Sequence, residues 1–408
     1  MNDAQKGLTF RDIEAAAERL SGKIRRTPLE VSRSFSQLSE REVLLKCENL
    51  QLTGSFKVRG AFNKILSLTN QEKERGVIAA SAGNHAQGVA LASAMAHVAS
   101  TIVMPKGAPI AKVEATKAYG ASVILHGHSY DEAYEYAREI QKEKGSIFVH
   151  AFDDQAIIAG QAVVGLEIVE ELSQLDGIVV PVGGGGLISG LAFAVKTLRP
   201  EVSIIGVQTE AAPAMVHSKK VQSHRTVQCQ ATIADGIAVA CPGSLNFELV
   251  DRFVDDMVTV EEEMIASAVV LLLERAKMVV EGAGAAALAA LVSKKVGNAG
   301  ERWVAVLSGG NMDITSVAKI IEYGLVRSGR RWEFRIVLPD RPGALQHLLA
   351  EVAHGGANII AVLHDRLRPG LSLSQAEVIV TLETRDHDHI RELRERLLHK
   401  GYRIERNV

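Results

Sequence analysis

Four consecutive glycines, Gly183-Gly184-Gly185-Gly186, follow the apolar run Ile178-Val179-Val180-Pro181-Val182 and precede a helix-like stretch, Leu187 to Leu198. Successive glycines let a backbone come close to a ligand and aim its N–H groups at it. The helix that follows adds the positive end of its dipole. Strand, glycine loop and helix together read as a phosphate cradle; the lesser reading, on glycine content alone, is a flexible hinge. No register of Gly183 to Gly190 fits the dinucleotide fingerprint, and Leu187-Ile188 stands where a P-loop needs Gly-Lys-Ser/Thr. The phosphate therefore belongs to another kind of ligand.

A second centre is Lys57, which closes the polar stretch Glu48 to Lys57 and opens a helix start, Val58-Arg59-Gly60-Ala61-Phe62. A lysine at a helix N-terminus opposes the dipole. Alone it is an ordinary surface lysine. Joined to a phosphate cradle it points to a Schiff-base lysine holding a phosphorylated aldehyde cofactor. Ser81-Ala82-Gly83-Asn84-His85 follows the strand-like Val77-Ile78-Ala79-Ala80, at the strand end where α/β sheets place ligands. Ser81 and Asn84 offer hydrogen bonds and the next helix start favours an anion, although either residue is also a plain N-cap. Ser308-Gly309-Gly310-Asn311 repeats the design after Trp303 to Leu307. His85 reads as a base or, in preference, as a structural histidine.

These loops need a scaffold of parallel strands. From about residue 77 to 210, apolar strand-like runs at 101–104, 122–125, 146–149, 177–182 and 203–207 alternate with helical stretches. That alternation predicts parallel sheets covered on both faces, in two α/β/α units. After residue 325 the character changes. Residues 326–331 are short, basic and polar, and read as a linker. Beyond them the order is strand (Trp332 to Leu338), turn (Asp340-Arg341-Pro342-Gly343), helix, two strands, helix, strand. This βαββαβ order is ferredoxin-like and, at about 75 residues, suits a separate small domain.

Composition narrows the function classes. With 47% hydrophobic residues the chain builds large cores, and a formal net charge of −2 offers no basic face for nucleic acid or membrane. Aromatics at 4% leave little for base stacking. Cys47, Cys229 and Cys241 have no metal or redox spacing. Met1 to Lys6 lacks a signal-peptide core, and apolar runs such as Gly282 to Val292 fall short of the ~20 residues that span a bilayer. A cytoplasmic protein is the expectation.

Four motifs in order, Gly54-Ser55-Phe56-Lys57-Val58-Arg59-Gly60-Ala61, Ser81 to Gly88, the tetraglycine and Ser308 to Asn311, resemble the serine/threonine dehydratases. These are pyridoxal-phosphate enzymes of fold-type II, with a tryptophan-synthase-β-like fold. The resemblance covers about residues 8–325, and the tail resembles an ACT regulatory domain. It implies a catalytic domain at 1–325, with a smaller α/β subdomain at about 50–150, and a regulatory domain at 332–408. It further implies that Lys57 joins the cofactor and that Phe56 packs beside its ring. Asn84 bonds the phenolic oxygen, Gly183, Gly184, Gly185, Gly186 and Leu187 hold the phosphate, and Ser308 meets the ring nitrogen. Ser81, Asn84 and the amides near His85 grip the substrate carboxylate.

The implied activity is deamination of L-threonine to 2-oxobutyrate and ammonia by β-elimination, and of L-serine to pyruvate. A hydroxyl at the ring nitrogen makes a milder electron sink than a carboxylate would, which favours prompt elimination over transamination. Racemases of the wider family carry a serine where Ala82 stands, so elimination is expected rather than racemisation. They also bind a divalent ion through an aspartate where Val216 stands. Glu210 and Ala214 are left as candidate ligands of a monovalent cation, or Glu210 is a plain strand-end carboxylate. No metal site is assigned. Isoleucine or valine is the candidate effector, and a dimer or tetramer the expected assembly. The alternatives are a dehydratase of another 3-hydroxy amino acid, a β-replacement synthase of the same fold, or a non-catalytic amino-acid sensor.

Overall fold

The computed structural model describes residues 7–405; Met1 to Lys6 and residues 406–408 lie outside the described part. The chain divides into two compact units, residues 1–313 and 314–408.

The first unit holds two sheets. The larger has six strands in the order β1 (Leu29–Val31), β2 (Glu42–Lys46), β10 (Arg302–Val306), β7 (Gly177–Pro181), β8 (Ser203–Thr209) and β9 (Asp256–Val260). Only β1 runs antiparallel, against β2; the others pair in parallel. The smaller sheet has the order β5 (Ser122–Leu125), β4 (Ser100–Met104), β3 (Val77–Ala80), β6 (Ile147–Phe148), all parallel. The expected strands and helices between residues 77 and 210 are present within a few residues of their sequence limits. Strands β1, β2 and β9, which the sequence reading does not place, complete the larger sheet.

Parallel strands need helices on both faces, and the sequence supplies apolar ones. The helix Gly282–Val292 is composed of glycine, alanine, leucine and valine, and its residues 282–291 are buried. The helix Gln155–Glu171 starts at Asp154, whose carboxylate accepts the Ala156 and Ile157 N–H groups at 2.8 and 3.2 Å. It crosses the helix Lys57–Leu66 where two glycines meet. A Cβ on Gly160 would stand 2.7 Å from the Arg59 carbonyl oxygen and from Gly60 Cα. Only glycine permits that approach.

Beside this crossing lies a closed network of four buried charges. Arg59 donates to Glu48 at 2.7 and 2.8 Å and to Glu167 at 2.7 and 2.9 Å. Lys46 donates to Glu167 at 2.6 Å and to the Thr27 carbonyl at 2.8 Å. Lys46, Glu48 and Arg59 are fully buried. Burial by itself would raise the Glu48 carboxyl, but the Arg59 charge and hydrogen bonds outweigh it and hold the group below the usual carboxylate range. The network ties the Lys57 helix to the end of β2 and to the helix Gln155–Glu171.

The second unit opens with the helix Ile314–Arg327. Residues 326–331, expected as a linker, hold the last two residues of this helix, a turn at 328–330 and the first residue of β11 (Arg331–Pro339). Arg327 and Arg330 stand at the helix end, where cations are favourable. The expected βαββαβ order follows: β11, the helix Ala344–His354, β12 (Asn358–Asp365), β13 (Gln375–Glu383), the helix His387–His399 and β14 (Ile404–Glu405). The antiparallel sheet has the order β12-β13-β11-β14. Trp332, Phe334, Ile336 and Leu338 alternate into a core with Leu348, Val352 and Leu393. Among the described residues no helix is long and apolar enough to cross a membrane.

Candidate active site

Three neighbouring parallel strands deliver three of the motifs. The Lys57 segment follows β2, the Ser308 loop follows β10, and the glycine loop follows β7, each from the C-terminal strand end. The Ser81 loop follows β3 of the second sheet. Two of these segments pair directly. Ser55 and Gly309 form an isolated antiparallel bridge, Phe56 N–H donates to the Ser308 carbonyl at 3.1 Å, and Gly310 N–H to the Gly54 carbonyl at 2.9 Å. Ser308 and Lys57 are thereby held in fixed register.

Lys57 is the first residue of its helix and is half-buried. Its Nζ donates to the Ala151 carbonyl at 2.9 Å and lies 5.3 Å from the Phe56 ring centroid. Burial pulls its pKa down to about 8, against the opposing pull of Glu281. About one amine in ten is then neutral at pH 7.

Asn84 opens the helix Asn84–Met95, and two partners fix its amide. Nδ2 donates to Glu281 Oε1 at 2.7 Å, and Oδ1 accepts from Asn311 Nδ2 at 2.7 Å. Asn311 also donates to the Thr53 carbonyl. One Asn84 N–H is left to serve a ligand. Glu281 meets Asn84 across 197 positions of chain. Burial, reinforced by Asp235, raises its carboxyl to about 7. The sequence signal for it is the glutamate that opens the glycine- and alanine-rich run Gly282-Ala283-Gly284-Ala285.

The glycine loop has the shape of a cradle that side chains would fill. A Cβ on Gly184 would stand 2.5 Å from Phe152 ring atoms, and one on Gly185 2.8 Å from Asn246 Cβ and Met215 Cε. Gly185 has φ +100°, a conformation that glycine adopts without cost. The helix Gly186–Leu198 has no side-chain cap, so the N–H groups of its first turn face outward for an anion. Ala151 meets the Lys57 amine and the adjacent Phe152 floors the glycine loop, so one turn of chain joins the two ends of the site. Ser55 Oγ, fully buried two residues before Lys57, has no hydrogen-bond partner among the described residues.

The other expected residues have mixed placements. Phe56 packs its ring against the core of the larger sheet. Ser81 Oγ accepts from the Gly83 N–H at 3.2 Å and so shapes the turn before Asn84. The His85 imidazole is buried and bonds the Val149 carbonyl at 3.0 Å, leaving its backbone N–H at the helix start. Glu210 stands 3.9 Å from the Lys295 ammonium, and the Ala214 carbonyl accepts from Ser218 Oγ at 2.7 Å. Among the described residues no three His, Cys, Asp or Glu side chains stand together as a metal cluster.

Residues 20–309 match the sequence family described as pyridoxal-phosphate dependent enzyme. The chain belongs to that family. Its match to the L-threonine ammonia-lyase of Thermotoga maritima is 49% identical over 397 residues, 97% of this chain and 99% of the relative. The processed threonine deaminase isoform 2 of Solanum lycopersicum superposes with a TM-score of 0.73 at 35% identity, covering 78% of this chain and 87% of that one. Maize serine racemase superposes at TM-score 0.74 and 32% identity, over 79% of this chain and 99% of that one. A pyridoxal-phosphate dependent enzyme needs a lysine that is partly neutral, a side-chain-free anion cradle and polar groups between them. Lys57, the Gly183–Gly186 loop, Asn84 and Ser308 fit those needs.

Burial of His85 gives the pyridoxal-phosphate enzyme an acid limit. Desolvation, with the Lys57 charge adding to it, lowers this imidazole from 6.5 to about 3. Through His85 the folded state binds fewer protons than the unfolded state below pH 6.5, a contribution that is lost as pH falls, at about 1.4 kcal/mol per pH unit for one histidine. Glu281, raised to about 7, contributes with the opposite sign over the same range. The check is therefore the difference in denaturant-melt slope between the unsubstituted protein and His85→Asn from about pH 6.5 to 5; identical slopes count against it.

Proposed function

We propose that this enzyme deaminates L-threonine to 2-oxobutyrate and ammonia by β-elimination of the hydroxyl, and L-serine to pyruvate by the same route. The observation that carries the reading is the Lys57 amine, lowered to about 8 and bonded to Ala151 beside the glycine cradle. Pyridoxal phosphate, when bound, supplies an electron sink next to the substrate α-carbon. Lys57 Nζ, neutral in part, takes the α-proton. The first-turn amides of the helix Asn84–Met95, with Ser81 and Asn84, hold the substrate carboxylate by hydrogen bonds and dipole. The Gly183–Leu187 amides hold the cofactor phosphate, and the Ser308 hydroxyl serves the ring nitrogen. Ala82 has no group to take a proton, so no second base stands at that position for racemisation.

The second unit supports a regulatory reading, that of an ACT-like domain acting in a homo-oligomer. Its edge strand β12 exposes Ile360, Val362 and Leu363, an apolar strip suited to a second copy of the chain. Isoleucine or valine is the effector this reading names. One steady-state experiment tests both parts. Threonine is expected to yield 2-oxobutyrate and ammonia in equal amounts, serine to yield pyruvate, and isoleucine or valine to change the threonine rate. Turnover of another 3-hydroxy amino acid with none of threonine overturns the substrate assignment. Rates unmoved by either effector overturn the regulatory one.

A further inference from the structure

The segment between β6 and the helix Gln155–Glu171 is not part of any motif, yet it touches both ends of the cofactor site. Its first polar side chain, His150, organises it. His150 Nδ1 accepts the Phe152 N–H at 3.2 Å and the Asp153 N–H at 2.8 Å. Two donors on Nδ1 require that nitrogen to be unprotonated, which places the ring proton on Nε2. The ring is wedged edge-on against Phe152, with centroids 4.7 Å apart. Burial lowers the imidazole pKa against the opposing charges of Asp153 and Asp154, so the neutral form is favoured.

The turn shaped this way has consequences at three places. Ala151 presents its carbonyl to Lys57 Nζ at 2.9 Å. Phe152 lays its ring where a Gly184 side chain would be, and its carbonyl accepts from Asn246 Nδ2 at 3.0 Å. Asp153 Oδ1 accepts the Leu245 and Asn246 N–H groups at 3.1 and 3.3 Å, which anchors the helix Ser244–Phe253 beside Gly185.

The geometry points to His150 as a positioning residue for pyridoxal phosphate: through two backbone N–H bonds to Nδ1 it sets the carbonyl that faces the Lys57 amine and the ring that floors the phosphate loop. This goes beyond the substrate assignment and rests only on the cofactor site. Any side chain that places an acceptor where Nδ1 lies can do the same. Asparagine does so with Oδ1; glutamine places its acceptor one atom further, where Nε2 lies.

The test is the dissociation constant for pyridoxal phosphate, measured by equilibrium dialysis of full-length protein and independent of turnover. His150→Ala and His150→Gln are expected to weaken binding about tenfold, the loss of two backbone hydrogen bonds of ordinary strength. His150→Asn is expected to stay within about threefold of the unsubstituted protein. Glutamine is closer to histidine in size, so a role in filling space predicts the opposite order. If His150→Gln binds as well as His150→Asn or better, or if His150→Ala binds normally, the assignment is wrong. Should the alanine variant not accumulate in folded form, the asparagine–glutamine comparison decides alone. Tight binding of the cofactor by the unsubstituted protein, with a disordered series of variants, would count against His150 and leave the active-site reading intact.

Discussion

Lys57→Ala is expected to leave a folded, colourless protein whose turnover is lower by about 10⁴-fold or more. The fold tolerates the change for local reasons. Alanine suits a helix start at least as well as lysine, and a buried amine that meets one carbonyl at 2.9 Å contributes little packing. Chemistry does not tolerate it. In the proposed mechanism the same Nζ is both the point of attachment for pyridoxal phosphate and the base for the α-proton, so both functions vanish together. Lys57→Arg separates charge from chemistry: it keeps a cation at the site but offers no nucleophilic amine. It is expected to be as inactive as the alanine variant. Borohydride reduction of the unsubstituted enzyme, followed by peptide mass mapping, is expected to place the cofactor mass on Lys57. A tagged residue elsewhere, or a coloured Lys57→Ala protein, would sink the assignment.

The second large effect concerns stability. Arg59→Ala is expected to destabilise the first unit by about 3–5 kcal/mol, because it leaves Glu48 and Glu167 facing each other without their shared cation. Glu48 is fully buried, so it cannot turn to solvent. Neutralising the acids as well tests the cause. Arg59→Met combined with Lys46→Met, Glu48→Gln and Glu167→Gln is expected to recover much of the loss, since replacing all four charges of a buried ion cluster often costs little. Urea melts of the single and quadruple variants measure both quantities. If Arg59→Ala melts within about 1 kcal/mol of the unsubstituted protein, the network is a weaker strut than its bond lengths imply.

The parts of the site legible in the sequence are those whose chemistry is local. A strand followed by glycines and a helix announces an anion cradle, because the backbone alone makes it. Lys57, Asn84 and Ser308 each stand next to such an element, so their types and neighbours sufficed. The βαββαβ order of the second unit was legible because alternating residues in β11 and helical spacing in 344–354 and 387–399 report burial directly. The limits of that unit were not. The helix Ile314–Arg327 belongs to it, and no composition shift marks residue 313.

By itself, then, the sequence determined the cofactor class and the fold type and named Lys57 and the glycine loop as candidates, since each is written in short stretches of contiguous residues. Tertiary structure alone decided how those stretches meet. Glu281 reaches Asn84 across 197 positions, and Lys57 finds the Ala151 carbonyl across 94. It also turned the His85 ring toward Val149, paired Glu210 with Lys295, and gave His150 its two backbone bonds. The physical reason is that hydrogen bonds and desolvation act through space. Which donor meets which acceptor, and which amine loses its water, depend on how β2, β10 and β7 bring their ends together.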